Sequence, residues 1–477
     1  MPIEDLIYPL LPQYTSSPQW VKNSLGRAYS WIPKSWRYGA EFATFAHEIA
    51  MSKDVQWTLR RSEEKLNQTL SWAIKTVPAY ETLKNILRLD RSADERLHYF
   101  PLLAKEKIKA NNEAFLSKLM PKSSHFVTYT GGSTSIPMKL YHQKFVSRAK
   151  DFAYAREFDK SIGIGRDDII LAMRGRTVPK ANSETSSIWM YDPIKRYLHL
   201  SSDHLEPRYM SRYVNAIRRF RPAFIHAFPS AIYPLAKWLE LNPAPDISLM
   251  IRGIQLFSEN IYRYQIDLLE KVFDCPVLMD YGHSERAVKA VSLVDDKRYF
   301  FWPLYGKVEL IDSTGASILE PGRLGEIVAT GFDNPVMPLI RYKTGDLGMW
   351  SATPSGQRPG FSVIENIDGR LQEFLVCHGG RLVSIATIGA AHFEQLAGVD
   401  RMQFEQLVPG RAVLKICSSS ELLPNVKSKL VDAIRKKTQG DLDIDIVRVE
   451  EIPRTVSGKH RLLVQAIDLS GFLGAAY

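Results

Sequence analysis

The chain has 477 residues, 45% of them hydrophobic and 24% charged, with 62 basic against 52 acidic side chains and a formal net charge of +10. That length exceeds one compact core and predicts two or more domains. Aromatic and β-branched residues run throughout, which excludes a disordered chain, and the positive balance favours anionic ligands such as nucleotides. The Met1-Pro2-Ile3-Glu4-Asp5 start lacks the basic and apolar run of a signal peptide, and no apolar stretch reaches the ~18 residues of a membrane span. Cys275, Cys377 and Cys417 are far apart and form neither a disulfide framework nor a zinc spacing. A cytoplasmic protein without stable membrane insertion is expected.

Between Trp20 and Tyr38, Lys22, Arg27, Lys34 and Arg37 interleave with Tyr29, Trp31 and Trp36. This reads as a surface segment whose rings pack on the domain, or as an interfacial anchor. Residues 40 to 120 read mostly helical, as in the amphipathic stretch Val55 to Ile74. A strand at Phe126 to Tyr129 then enters a small-residue loop, and a helical stretch follows from about Gln143. Apolar strands at Asp168–Met173, Ala223–Ala227, Gly253–Phe257 and Pro276–Asp280 alternate with helices, which predicts an α/β fold with largely parallel strands. After Phe300, Lys307–Asp312 and Gly325–Thr330 alternate apolar and polar residues between turns and predict an antiparallel β subdomain. A further unit near Gly369 reads strand, helix, strand, helix, strand, with a helix at Leu422–Gln439 and a strand at Asp443–Val449. The principal boundary is placed at residue 371, giving a large domain 1–370 and a small α+β domain 371–477. Arg218-Arg219-Phe220-Arg221 and Arg435-Lys436-Lys437 read as solvated helix ends, and no nucleic-acid site is expected.

Four short motifs carry chemistry. Thr130-Gly131-Gly132-Ser133-Thr134-Ser135-Ile136-Pro137 follows a strand and, in this reading, precedes a helix. Its amides and hydroxyls suit a phosphate, although a polar turn would look alike. Asp280-Tyr281-Gly282-His283-Ser284-Glu285 ends a predicted parallel strand, the edge where open α/β sheets bind ligands. Tyr281 offers a ring face for a base, Ser284 a donor, and Glu285 either a magnesium ligand or a helix-start charge. His283 reads as a loop residue. In Arg341-Tyr342-Lys343-Thr344-Gly345-Asp346, Asp346 can accept from two vicinal hydroxyls, as on a ribose. In Pro453-Arg454-Thr455-Val456-Ser457-Gly458-Lys459, Lys459 sits in a small-residue turn, free to reach an anionic site or to be solvated.

The ordered set resembles the adenylate-forming superfamily of acyl-CoA synthetases, peptide-synthetase adenylation domains and luciferases. Within it, the branch of phenylacetate-CoA ligase and capsular-polysaccharide-biosynthesis adenylating proteins is the most similar. The resemblance runs from about Pro101 to Val464 and includes Phe228-Pro229-Ser230 and Gly253 to Glu259. It implies a large N-terminal domain of layered α/β sheets with a β subdomain, and a small mobile C-terminal domain. It further implies that Thr130, Gly131, Gly132, Ser133, Thr134 and Ser135 wrap the ATP phosphates. Tyr281 and Gly282 would hold adenine, and Ser284 would meet the α-phosphate or substrate carboxylate. Glu285 would hold Mg2+, Asp346 and Arg370 the ribose, and Lys459 would bridge carboxylate and phosphate, with Gln372 as hinge. The implied reaction is acyl-adenylate formation from ATP and a carboxylic acid, then acyl transfer to coenzyme A, another thiol or an amine. An adenylyltransferase placing AMP on an acceptor, or a nucleotide-binding scaffold, are the alternatives.

Four positions depart from the family pattern. Ser135 stands where a glycine is usual in the phosphate loop, and Met138 where a lysine is usual. Lys343 replaces the arginine before Thr-Gly-Asp, a point charge in place of a bidentate fork. Gln372 replaces a hinge aspartate or lysine. Arg174 and Arg176, with Trp189 and Tyr191, are expected to line an acyl pocket, or to take ordinary surface and core roles.

Overall fold

The computed structural model describes residues 10–88, 90–130, 138–165, 167–174, 188–201, 204–205, 207–356, 358–370, 374–385, 401–418, 424–453 and 461–465, with residues 3, 7, 178, 399 and 467. Its centre is a 12-stranded sheet in the order β11-β12-β13-β14-β10-β9-β8-β7-β6-β3-β5-β4. Five neighbours are parallel: β5 (Tyr197–Leu200), β3 (Ile170–Met173), β6 (Phe224–Ala227), β7 (Gly253–Phe257) and β8 (Val277–Gly282). The antiparallel half contains β9 (Lys289–Val291), β10 (Tyr299–Phe301), β11 (Gly306–Ile311), β12 (Leu324–Gly331), β13 (Tyr342–Trp350) and β14 (Ser362–Arg370), and β4 (Trp189–Asp192) closes the far edge. The fold is thus mixed α/β, with parallel and antiparallel regions fused into one sheet.

Local chemistry explains these elements. The helix Val55–Thr76 begins where the Asp54 carboxylate accepts from the Trp57 amide, an N-cap, and it buries Leu66, Leu70, Ala73 and Ile74 along one face. The parallel strands are apolar on the face packed by the helices Pro207–Phe220, Pro229–Leu241 and Arg263–Phe273, where Leu171, Ile225, Ile254 and Val277 join one core. A second core forms around Val55–Thr76 and is completed from far along the chain by Phe332, Met337, Leu339, Ile340 and Tyr342.

Between these layers lies a buried ion cluster. The Lys150 ammonium donates to the carbonyls of Tyr305 (2.7 Å) and Phe332 (2.9 Å) and pairs with Asp333 at 3.0 Å. Lys65 pairs with the other Asp333 oxygen at 2.8 Å and with Glu48 at 2.9 Å. Asp333 has a φ of 62°, so the cluster also holds a left-handed turn after β12.

Two expectations are corrected here. The small-residue loop does not lead into a helix: it joins β1 (His125–Tyr129) to β2 (Lys139–Gln143) as an antiparallel hairpin, and the helix starts only at Ser147. The cause is the alternation of buried Met138, Leu140 and His142 with exposed Lys139 and half-buried Tyr141, a period of two. The N-terminal rings also do not all pack inward. Tyr29 is buried, whereas Trp20, Trp31 and Trp36 are 71%, 88% and 66% exposed.

The C-terminal residues form a smaller sheet with its own core. β17 (Arg401–Val408) pairs antiparallel with β18 (Arg411–Cys417) and parallel with β20 (Leu463–Gln465), and β18 pairs parallel with β19 (Asp443–Val449). The helix Pro424–Thr438 packs Leu430 and Ile434 against Met402, Phe404, Leu414 and Ile416. Ahead of it, β15 (Phe374–Val376) and β16 (Leu382–Ser384) form a hairpin whose reversal uses His378-Gly379-Gly380, with Gly380 at φ 77°. The first helix expected in this unit falls outside the described residues. No described helix is long and apolar enough to cross a membrane.

Candidate nucleotide and acid site

Tyr281 and Gly282 end β8, at the carboxyl edge of the parallel region and beside the antiparallel one. The Tyr281 ring leans on Phe301, with centroids 5.7 Å apart, and its hydroxyl donates to Asp346 Oδ2 at 2.8 Å. Two motifs 65 residues apart therefore meet through one hydrogen bond. Asp346 is presented by a turn in β13. Gly345 takes φ +78°, which a side chain would strain, and the Thr344 hydroxyl accepts from the Asp346 amide. Lys343, at the position of the usual arginine, pairs with Glu326 at 3.0 Å. Across the ladder, Asp346 stands opposite Arg370.

Glu285 follows the strand and is shielded from water. Its Oε1 accepts from the Tyr342 hydroxyl at 2.7 Å, and its Oε2 lies 3.1 Å from His283 Nδ1. Burial alone would raise this carboxyl, but the His283 hydrogen bond and charge, followed by the Tyr342 hydroxyl, outweigh it and bring the group down to about 2. It is therefore ionised at any ordinary pH. His142 Nε2 lies 3.1 Å from the Ser284 carbonyl. Burial, then the charge of Arg286, lowers His142 to about 4. Arg286 clasps the helix Ser147–Ser161 through Ser147 at 2.7 Å and Asp151 at 2.8 Å. The Ser284–Glu285 loop is thereby fixed from two sides.

Thr130 closes the base of the small-residue loop: its amide donates to the Met138 carbonyl, and its hydroxyl accepts from the Met138 amide. The Met138 side chain is buried in the N-terminal core. Gly131, Gly132, Ser133, Thr134 and Ser135 lie outside the described residues, as do Gln372, Lys459 and Arg176, and of Arg370 only the backbone is described.

Of the two partners of Glu285, sequence reasoning read His283 only as a loop residue and did not single out Tyr342, nor did it single out His142. Tyr342 stands inside a quoted motif, which is the one signal that could have found it. Phe228-Pro229-Ser230 and the Gly253–Glu259 stretch meet directly, since Glu259 accepts from both the amide and the hydroxyl of Ser230 at 3.0 Å. The expected grouping of Arg174 with Trp189 and Tyr191 is corrected. Both of those rings lie 5.0 Å from Phe220, whereas Arg174 lies over Tyr197, 4.9 Å from the ring centroid.

The arrangement brings together an aromatic ring, a carboxylate that accepts from its hydroxyl, and a second, ionised carboxylate held by Tyr342 and His283. Among the described residues no cluster of three or more metal-ligating side chains exists. A single carboxylate nevertheless fits magnesium, which commonly takes one or two carboxylates and completes its shell with nucleotide phosphates and water.

No family model matches the chain. CapK of Staphylococcus aureus is 23% identical over 390 residues, covering 80% of this chain and 83% of that protein. Phenylacetate-coenzyme A ligase of Pseudomonas putida is 28% identical over 175 residues, 35% of this chain and 38% of the other. Among solved structures, 2-hydroxyisobutyryl-CoA ligase in the postadenylation state in complex with R3-HIB-AMP shares the fold with a TM-score of 0.63 at 16% identity, covering 91% of this chain and 90% of its own.

Proposed function

We propose that this chain, similar in sequence to CapK and phenylacetate-coenzyme A ligase and in fold to 2-hydroxyisobutyryl-CoA ligase, is an ATP-dependent ligase of the adenylate-forming kind that activates a carboxylic acid as its acyl-adenylate. The observation that carries the reading is the hydrogen bond from Tyr281 to Asp346, which joins the ring expected on adenine to the carboxylate expected on ribose. In the first half-reaction a carboxylate oxygen attacks the α-phosphorus, and the bond to the pyrophosphate oxygen breaks. In the second, a thiol of coenzyme A, or another thiol or amine, attacks the acyl carbon, loses its proton and releases AMP.

Each proposed role follows from the charge problem of bringing two anions together. Thr130 to Ser135 would surround the phosphates with amides and hydroxyls, and Ser284 would donate to the α-phosphate or the acid. Magnesium, when bound, would be held by Glu285 with the phosphates and would offset their charge. Tyr342 and His283 keep that carboxylate ionised and oriented. Lys459, on the small domain beyond residue 371, would supply a cation during adenylation and leave when that domain turns about Gln372.

The test is carboxylate-dependent exchange of labelled pyrophosphate into ATP across aryl, fatty, amino, hydroxy and sugar acids. Exchange with at least one acid is expected. ATP binding without exchange would favour a nucleotide-binding scaffold, and AMP appearing covalently on an acceptor would identify an adenylyltransferase.

A further inference from the structure

We propose that the face of the parallel strands that carries Asp280, opposite the face on which the Tyr281 ring packs, receives the distal end of the activated acid, and that this end carries an acceptor oxygen, a hydroxyl or a second carboxylate, rather than hydrocarbon. The proposal rests on the carboxylate-activating reading above. Strand register places His199, Ala172, His226, Gln255 and Leu278 side by side across β5, β3, β6, β7 and β8. Tyr197 and Asp280, two residues along their strands, share that face. The opposite face of the same strands is aliphatic, as parallel strands covered on both sides normally are. A row of polar side chains here costs folding stability unless it is used.

The row is incompletely satisfied. His226 and His199 are each more than nine-tenths buried, yet among the described residues His226 Nε2 and His199 Nδ1 have no hydrogen-bond partner. Gln255 donates to Asp280, which Lys289 neutralises at 2.7 Å, so that end is closed. The Tyr197 hydroxyl lies 3.4 Å from His226 Nδ1. With that hydroxyl donating, the ring proton sits on Nε2, which becomes a donor awaiting an acceptor. Arg174 lies over the Tyr197 ring at 4.9 Å and the Phe257 ring at 6.0 Å, bringing a cation to the same corner. Burial first, and the Arg174 charge second, push both histidines down to about 3, so they act as neutral hydrogen-bonding groups near pH 7. β6 lies two strands from β8, about 10 Å at the usual spacing, a distance a short acyl chain spans.

The experiment is pyrophosphate exchange by the full chain with paired acids of equal length, one ending in hydroxyl or carboxylate and one in methyl or phenyl. A wild-type preference for the polar member is expected. His226→Leu should shift the ratio of kcat/KM between members toward hydrocarbon by about tenfold or more, through the KM of the acid rather than of ATP. His226→Gln, which keeps a donor, should recover part of the preference, and thermal melting checks that each variant folds. A wild-type preference for hydrocarbon, or a ratio unmoved by His226→Leu in a folded variant, overturns the proposal while leaving acid activation intact. No exchange with any acid despite ATP binding overturns the activation reading itself, and this proposal with it.

The N-terminal helices carry an independent feature. In the helix Gln19–Ser30 the face holding Lys22 and Tyr29 is buried, with the Lys22 ammonium against Met190. At helical spacing, Trp20, Arg27 and Trp31 fall on one stripe opposite that face, and all three are exposed. Trp36 is exposed in the next helix, and no acidic residue occurs from residue 6 to residue 40. We infer that this stripe docks on an anionic lipid surface, since tryptophan settles at the boundary of lipid and water and a purely basic segment adds charge attraction. The test is sedimentation with vesicles of phosphatidylcholine alone or mixed with phosphatidylglycerol. Salt-sensitive binding to the anionic vesicles, lost in Trp20→Ala/Trp31→Ala at unchanged thermal stability, is expected. Absence of binding, equal binding to both vesicles, or a dimer in light scattering that the same variant dissolves would each overturn it.

Discussion

Removing one oxygen atom from Tyr281 separates the two roles proposed for that residue. Tyr281→Phe keeps the ring against Phe301 but deletes the donor to Asp346, 2.8 Å away. A hydrogen bond to a charged group contributes about 1.5–3 kcal/mol, and both residues here are only half-buried, so the lower end applies. About 1.4 kcal/mol corresponds to a roughly tenfold weaker Kd for ATP. Tyr281→Ala also loses the stacked base, for a further loss of ~1–3 kcal/mol. Titration calorimetry with ATP and with 2′,3′-dideoxy-ATP distinguishes the two terms. Wild-type protein should prefer ATP, Tyr281→Phe should narrow that preference because Asp346 is no longer held, and Tyr281→Ala should weaken both nucleotides. If all three proteins bind ATP equally well while melting normally, the Tyr281–Asp346 contact is a structural bond and the nucleotide assignment fails.

Glu285→Gln replaces an ionised magnesium ligand by a weak neutral one and should raise the magnesium needed for half-maximal exchange about tenfold or more; an unchanged magnesium curve would remove the metal assignment. Lys459→Ala should slow exchange ~10²–10³-fold yet spare transfer from supplied acyl-adenylate, with Gln372→Pro doing the reverse; equal slowing of both steps by Lys459→Ala would refute the two-state scheme. Lys150→Met leaves the Asp333 carboxylate and two carbonyls short of a partner, and urea unfolding should register a loss of about 3–5 kcal/mol; a loss under about 1 kcal/mol would show that the cluster relaxes. Burial lowers His142, His199 and His226 to about 4, 3 and 3, so the unfolded chain binds protons first as pH falls. Their contribution is complete above about pH 6.5 and is lost from there down toward pH 4, with Asp159, raised by burial to about 6, opposing in part. The melting temperature should therefore drop across that window, and a flat profile would contradict the buried neutral histidines.

What could be read from sequence was what depends on short-range pattern. β7 has the bounds its apolar run predicted, and the 307–312 and 325–330 segments form the expected antiparallel pair. The hairpin around the small-residue loop was missed because His142 and Lys139 made the second strand look like a polar lead into the helix. Its buried alternation is evident only once Met138 and Leu140 meet the distant Phe332–Tyr342 segment. In the site, Tyr281, Glu285 and Asp346 announced themselves through motif chemistry. The bonds that hold them did not: Tyr342 reaches Glu285 across 57 residues, and nothing local marks a tyrosine for that partner. The exposure of Trp31 was likewise invisible, because a tryptophan among basic residues has the same composition whether it packs inward or faces water.

The late completion of the N-terminal core bears on how the chain is made. Leu66, Leu70 and Leu140 share a core with Phe332, Leu339 and Ile340, and Lys65 and Lys150 share one with Asp333. On a ribosome adding ~5–20 residues per second, roughly 10–40 s separate the emergence of Leu140 from that of Phe332. Throughout that interval the early helices present an open apolar face and two lysines lacking their aspartate. A fragment cut before residue 332 would keep those faces open permanently, so nascent chains arrested there should be the ones that chaperones hold and proteases clear.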